Sequence, residues 1–416
     1  GEVVDICVDK NTITSCFLSD GSKIKCDAAI ITTGTFLNGK IHIGDQSYNA
    51  GRFGEPPSNK LTKNLVKMGF ETHRLKTGTP PRLLSSSINW SQLELSPGDN
   101  NPDYFSIKTQ ANFKTPNIPC FTAYTNKNVH NILKDNLLLS PMFSGKIQAV
   151  GPRYCPSVED KVVRFFDKNK HQLFLEPEWN NAKQIYLNGF STSMPEKIQK
   201  KSLREIKGLE KVELIRPGYA IEYDYFPSRQ LKSTMESKNI KGLFFAGQLN
   251  GTSGYEEAAA QGLIAGINAT NRMLNNPIFT IKRTEGYIGV LIDDLITKSI
   301  NEPYRMFTSS AEHRLYLRQD NADLRLTPKA IKRGIIDDEQ KKIFSVFTNK
   351  YNKDKDTLKK NKIKKNKKTI SLWEELKNKN SSIYKLMGLS NKKTTHLETL
   401  EAESKYEGYI KIQEKK

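Results

Sequence analysis

Two stretches of this 416-residue sequence carry residue types at spacings that could do chemistry. The first is Gly151-Pro152-Arg153-Tyr154-Cys155-Pro156-Ser157-Val158-Glu159-Asp160-Lys161-Val162-Val163-Arg164-Phe165. Ser157 followed by Asp160 reads as a capping box with Asp in the usual Glu place, which puts Cys155 just before a helix N-terminus. Partial positive charge there, with Arg153 nearby, would lower the thiol pKa and raise the fraction of nucleophilic thiolate. A lone cysteine also packs as an inert residue, so the residues alone leave both uses open.

The second stretch runs from Ala246 through Gly247, Gln248, Asn250, Gly251 and Gly254 to Ala269. It reads as a strand, a turn and a helix beginning near Tyr255, with little side-chain bulk at the turn. Such a turn can touch a planar ligand with its backbone. The unpaired amides near Gly254 would favour an anion, a reduced flavin ring being one candidate. Ala258, Gly262 and Gly266 recur every fourth residue on one helix face, which predicts close packing against a sheet or a cofactor. Tight helix-on-sheet packing alone is the other reading.

Other catalytic patterns fail. Gly34 to Lys40 has P-loop spacing, but Ile41 stands where a magnesium-binding Ser or Thr is needed. The G-x-G-x-x-G, H-E-x-x-H and G-x-S-x-G patterns are absent. The five cysteines are an odd number with no C-x-x-C pair, which fits a reducing compartment and no zinc site.

The elements around these stretches follow from periodicity. Val3 to Val8 and Thr12 to Leu18 alternate as strands, Asp20-Gly21 marks a turn, and Ala28 to Ile31 reads as a buried strand. Residues 80–220 are broken by prolines and read as an inserted, strand-rich domain. Leu243 to Phe245 reads as a second buried strand, and helical patterns dominate from about residue 285. No run approaches the ~18 apolar residues of a membrane span. The acidic residues among the first ten argue against a signal peptide.

The net charge is +20, from 65 basic and 45 acidic residues. An excess of that size points to a polyanion such as RNA. Lys341 to Lys368 holds twelve lysines and two aspartates, half of the excess. Asparagine crowds the same segments, so AT-rich coding explains the charge equally well.

Both chemical stretches match, residue for residue, the signatures of the glucose-inhibited division protein A family, FAD-dependent enzymes that modify the wobble uridine of tRNA. Supporting stretches include Thr33 to Leu37, Arg74 to Arg82, Arg216 to Asp224, Tyr304 to Ser309 and Lys405 to Ile410. The resemblance is dense to about residue 338 and sparse after it. It implies an α/β fold with a glutathione-reductase-like FAD domain, a strand-rich insertion and a C-terminal helical region. The expected boundaries are 1–82 and 220–280 for the FAD domain, 83–219 for the NADH and substrate insertion, and 281–416 for the helices.

By the family's mechanism NADH reduces FAD, methylene-tetrahydrofolate supplies one carbon, and glycine or ammonium completes a carboxymethylaminomethyl group on uridine C5. The resemblance also implies a GTPase partner, a homodimer within a heterotetramer, and a cytoplasmic or organellar-matrix location. It assigns Gly247, Gln248, Asn250, Gly251, Gly254 and Ser58 to the flavin, the Val3 backbone to its adenine end, Gly151 to Phe165 to NADH, and Cys155 to catalysis.

The sequence departs from the family in lacking its N-terminal G-x-G-x-x-G third and its final C-terminal segment. Ser310 and His313 stand where the family usually has Arg and Tyr. The chain is thus expected to be a fragment, half of a split enzyme or a decayed relative acting only as an RNA-binding module. The shorter folate-dependent tRNA uridine methylating flavoenzymes are a further rival, but they lack the Gly-Pro-Arg-Tyr-Cys-Pro-Ser segment.

Overall fold

The computed structural model describes residues 1–100, 102, 104–109, 113, 117–152, 156–298, 302–365, 368–389 and 394–414. They form two compact units: Gly1–Pro102 with Thr115–Thr280 and Asp294–Arg305, and Asp103–Lys114 with Ile281–Asp293 and Met306–Lys416.

In the first unit β1 (Val3–Asp9) and β2 (Thr12–Leu18), both expected from the sequence, join β3 (Lys23–Lys25) in an antiparallel meander. Lys10 and Asn11 close its first turn at φ of 46° and 60°, the backbone that fits a two-residue hairpin to twisted strands. Next come β4 (Ala29–Ile31), the hairpin β5 (Lys40–Ile43) and β6 (Gln46–Asn49), helix α1 (Lys60–Lys67) and β7 (His73–Thr79).

The proline-broken stretch then builds an antiparallel sheet from β8 (Arg82–Leu84), β9 (Glu94–Ser96), β10 (Cys120–Tyr124), β11 (Gln172–Pro177), β12 (Gln184–Asn188) and β13 (Leu214–Arg216). Their spatial order is β13-β8-β12-β11-β10-β9. Helices α2 (Lys127–Asp135), α3 (Val158–Arg164) and α4 (Glu196–Arg204) lie along the same stretch. Val129, Leu133, Val158, Val162 and Leu203 from these helices join Leu83, Leu173, Leu175, Ile185 and Leu187 in one core, which fixes α3 against the sheet.

Strand β14 (Tyr219–Tyr225) returns between β5 and β7, giving the order β6-β5-β14-β7. Strand β15 (Leu243–Phe245) pairs in parallel with β4 and leads into α5 (Tyr255–Met273). Because β4 and β15 make only a two-stranded sheet, Ile30 is 38% exposed, where the sequence predicts a buried run.

Helix α6 (Tyr287–Thr297) comes next in the chain. The second unit carries α7 (Ala322–Lys332), α8 (Asp338–Lys360), the hairpin β16 (Lys362–Lys365) and β17 (Lys368–Ser371), and α9 (Leu372–Leu376), α10 (Ile383–Leu386) and α11 (Thr395–Glu414). The lysine-rich segment is therefore one long helix and a hairpin. Tyr351, Leu358, Trp373, Leu376, Ile383 and Leu400 form the core beneath it.

Candidate functional site

Parallel strands leave a crevice outside their carboxyl ends, where successive connections part. Here those ends belong to β4 and β15, and Ala246 N donates to Ile31 O at 3.0 Å. Beyond β15 the chain turns sharply. Gly247 sits at φ 92°, ψ −148°, a backbone that a side chain would strain.

The turn is braced from inside by Gln261 of α5, which is fully buried. Its Oε1 accepts from Gly247 N at 3.2 Å and Asn250 Nδ2 at 2.8 Å, and its Nε2 donates to Thr252 Oγ1 and Glu257 O, both at 3.1 Å. Gln248 Nε2 reaches Tyr223 OH at 3.0 Å, and burial pushes that phenol up to about 12. Just before α1, Ser58 N donates to Phe36 O at 2.9 Å, and Ser58 O accepts from Asn38 N at 3.1 Å.

Three buried oxygens here, Asn250 Oδ1, Ser58 Oγ and Thr33 Oγ1, have no hydrogen-bond partner among the described residues. Buried polar atoms are normally satisfied, so this region fits a ligand with polar edges. Gln248, Asn250, Gly251 and Gly254 share the one turn, and Ser58 adjoins the Thr33 to Asn38 connection. Val3 opens β1 and pairs with Leu18.

Two expectations about this helix change. The first turn of α5 holds Glu256 and Glu257, with Glu257 Oε2 over Gly254, so its partial positive charge already faces carboxylates. The Ala258-Gly262-Gly266 stripe does not pack closely on the sheet: a Cβ at Gly262 or Gly266 would meet nothing within 4 Å. The packed face is instead Ala260, Gln261, Ile264, Ala265 and Asn268.

A second feature is a cavity of about 320 Å³ beside α3. Lys76, Met142, Gly151, Pro152, Pro156, Asp160, Arg164 and Glu302 are among its lining residues. Lys76 projects from β7 and is only 9% exposed, with Nζ 2.9 Å from Met142 Sδ. A Cβ at Gly151 would overlap Lys76 Cε and stand 2.9 Å from Nζ, so the flexible end of the lysine would have to shift to admit one.

Lys76 lies on the charged face of the β6-β5-β14-β7 sheet, directly opposite Glu222. Along that face His42 Nε2 meets Glu222 Oε2 at 2.8 Å, and Arg74 Nη1 donates to Asp224 Oδ1 at 2.7 Å. Burial pushes Glu222 up, but the hydrogen bond and charge of His42, with Arg74 and Lys40, outweigh it and hold the carboxyl below its usual range.

The Gly151 to Phe165 segment divides by environment. Arg153, Tyr154 and Cys155 lie outside the described residues. Gly151, Pro152, Pro156, Asp160 and Arg164 line the cavity, whereas Val158 and Val162 are core residues. Val163 and Phe165 are exposed, and Lys161 Nζ donates to Gly189 O at 2.7 Å. The predicted cap is present: Ser157 Oγ accepts from Asp160 N at 3.1 Å.

Glu159 is wholly buried; its Oε1 accepts from Thr192 Oγ1 at 2.8 Å and Ser193 N at 3.0 Å. Burial raises its pKa above the ordinary 4.5 despite these bonds. An acid whose pKa is raised on folding contributes stability that is full below the unfolded value and is lost as pH climbs through the folded value. Glu159→Gln removes this titration and keeps the acceptor. The variant should therefore melt roughly 2–4 °C higher than the parent at pH 8, with the difference vanishing near pH 4. A melting series showing a pH-independent difference would refute the buried-acid assignment.

Lys76 stands in the sequence only within the Arg74 to Arg82 stretch, and Gln261 carries no local signal of its own. Period-two charge in Arg74-Leu75-Lys76 and Glu222-Tyr223-Asp224 is the pattern that could have exposed the first.

A family profile described as "Glucose inhibited division protein A" matches residues 1–277. The tRNA uridine 5-carboxymethylaminomethyl modification enzyme MnmG of Streptococcus thermophilus is 50% identical over 363 residues, covering 87% of this chain and 57% of the relative. The enzyme of the same name from Flavobacterium johnsoniae is 52% identical over 338 residues, 81% of this chain and 54% of the relative. The crystal structure of Aquifex aeolicus GidA, form I, superposes with a TM-score of 0.91 at 43% identity, covering 100% of this chain and 70% of that one. The chain thus spans little more than half the length of the curated relatives it matches.

Proposed function

This chain belongs to the glucose-inhibited division protein A family, and from that premise we propose that it is the part of a tRNA wobble-uridine modification enzyme that holds the flavin ring and the reacting base. The observation that carries the reading is the glycine-bearing turn at the carboxyl ends of β4 and β15, with its unpartnered buried Asn250 and Ser58 oxygens. In a glutathione-reductase-like FAD domain, Gln248 to Gly254 and Ser58 would hold the flavin, and the Val3 backbone would lie toward its adenine end. When bound, FAD reduced by NADH supplies the electrons of the reaction.

The protein's own groups have separate tasks. Gly247 and Gly251 let the backbone approach a planar ring, and Gln261 keeps the turn in place. The cavity side of Gly151 to Phe165 receives the nicotinamide or the base. Cys155 adds to uridine C6 or moves a proton there, since C5 is a poor nucleophile until C6 is attacked. Methylene-tetrahydrofolate is the one-carbon donor, and a GTPase works with the enzyme as a homodimer within a heterotetramer. Its place is the cytoplasm or an organellar matrix, and no described helix is long and apolar enough to cross a membrane.

The test is tRNA digested after incubation with the complete enzyme, GTPase, NADH, folate and glycine. Modified wobble uridine is expected, together with flavin absorbance that follows the protein. Tight tRNA binding with no flavin and no product would favour the RNA-binding module instead.

Charge on the second unit supplies the RNA contact in this reading. Lys359, Lys360, Lys364 and Lys365 are exposed on α8 and β16. The nearby Trp373 is buried beneath Lys355 and Lys359 and offers no face for base stacking. Binding should therefore be electrostatic, with tRNA affinity falling steeply between about 50 and 200 mM salt. Changing the four lysines to Gln should flatten that dependence in a filter-binding titration. An unchanged salt slope would leave AT-rich coding as the origin of the lysines.

A further inference from the structure

We propose that Cys16 and Cys26 form a thiol–disulfide site that exchanges with small disulfides such as oxidised glutathione, bridging β2 to the chain just beyond β3. The inference concerns the β1-β2-β3 meander alone and stands apart from the tRNA-modifying reading above.

Three observations support it. First, Cys16 Sγ and Cys26 Sγ lie 4.0 Å apart, and both are free thiols. A disulfide needs about 2.05 Å, so the sulfurs must approach by about 2 Å, a distance that side-chain rotation covers without moving a strand. Second, the register puts both on one accessible face. Cys16 pairs with Ile24, and Cys26 N donates to Thr14 O at 3.1 Å. Alternation then sets Cys16 and Cys26 on the same side as Thr14 and Ile24, both of which are exposed. The two thiols are themselves only partly buried, so a tripeptide disulfide can reach them. Third, Cys7 pairs with Ser15 and so lies on the opposite side of the sheet, which leaves Cys26 as the partner of Cys16. Among the described residues no group of three or more Cys, His, Asp or Glu side chains could hold a metal ion, so nothing there favours a metal centre over redox chemistry.

The exchange runs in two steps. Burial, then the charge and hydrogen bond of Cys26 and the charge of Cys7, push the Cys16 thiol up to about 11, so Cys16 keeps its proton near neutral pH. The opening attack therefore falls to the thiolate of Cys26, which bonds to one sulfur of the small disulfide and releases the other as a thiolate. Cys16 Sγ then attacks Cys26 Sγ: the protein S–S bond forms, the mixed disulfide breaks, and the second small thiol leaves. Two protein thiols lose two electrons, the small disulfide is reduced to two thiols, and those thiols carry off the two protons.

The bridge closes a loop over 16–26 that holds β3 and its exposed Asp20-Gly21 turn. Cys26 stands just ahead of β4, whose Ala29 N donates to Gly242 O at 2.9 Å, so the cross-link also fixes the approach to β4.

The experiment incubates the full chain with reduced and oxidised glutathione at set ratios and maps its peptides by non-reducing mass spectrometry. The oxidised chain should lose the mass of two hydrogens, carry a Cys16–Cys26 cross-link and keep three of its five thiols open to alkylation after denaturation. Cys16→Ser should instead hold glutathione on Cys26, and Cys26→Ser should stay largely unmodified at Cys16. Amide exchange in β3 should slow by about tenfold or more in the oxidised parent, because the cross-link restricts local opening. The absence of a cross-link at every ratio, a lasting glutathione adduct in the parent, or a bridge through Cys7, Cys120 or Cys155 overturns the proposal. Equal glutathione uptake by the two single variants overturns the order of attack. The parent's own peptide map decides even where a variant fails to fold.

Discussion

Replacing Cys155 by Ser in the complete enzyme should reduce wobble-uridine modification by about 10²-fold or more, while flavin absorbance and tRNA affinity stay at parental levels. A serine hydroxyl is close in size but is not ionised near neutral pH, so it can neither attack C6 of uracil as a thiolate does nor take up a proton as that base would. The neighbourhood argues for a selective effect. Ser157 caps α3 through Asp160 N, and Val158 N donates to Ser191 O at 2.7 Å, so the chain just after Cys155 is held without the thiol. Modified nucleoside and NADH oxidation are measured in one sample. Near-normal modification would make Cys155 a packing residue, and joint loss of modification and flavin would make its role architectural.

The second large effect should come from a residue that touches no ligand. Gln261→Leu preserves volume but leaves Gly247 N–H without its acceptor and removes one of the two bonds of Asn250 Nδ2. An orphaned buried donor costs about 1–3 kcal/mol. With the lost bonds to Thr252 and Glu257, the first unit should melt on the order of 5–10 °C lower. Flavin should also be released at lower denaturant than global unfolding requires, because the turn proposed to hold it would open first. Circular dichroism and flavin fluorescence recorded on one denaturant series test both. Coincident, unshifted transitions would remove Gln261 from the site.

What the sequence made legible is mostly local. The Ser157 cap, the start of α5 at Tyr255 and the β1-β2 alternation depend on neighbours within a few residues. The strand-rich character of 80–220 was also readable, because prolines and short apolar runs exclude long helices. Gln261 escaped because its importance lies in closing a turn 14 residues back, against Gly247. The Ala258-Gly262-Gly266 stripe, read as packing on a sheet or a cofactor, does not lie on the sheet for a related reason: spacing places residues on one face but does not say what covers that face. Lys76 escaped because its cavity is assembled by β7, the 142–164 stretch and Glu302, which are far apart in the chain.

The two-faced sheet has a consequence for how the chain reaches its fold. Leu75, Tyr223 and Tyr225 lie on one face, and Arg74, Lys76, Glu222 and Asp224 on the other. Arg74 and Asp224 are 150 positions apart, so β7 and β14 meet only after the whole insertion has been brought out of the way. A slip of one residue at that meeting would turn the charges of β7 into the tyrosine layer and leave Leu75 facing carboxylates. The smallest register error is therefore also one of the most expensive. The ion-paired rungs act as a check on late strand pairing, rejecting misaligned chains before the neighbouring elements can lock around them.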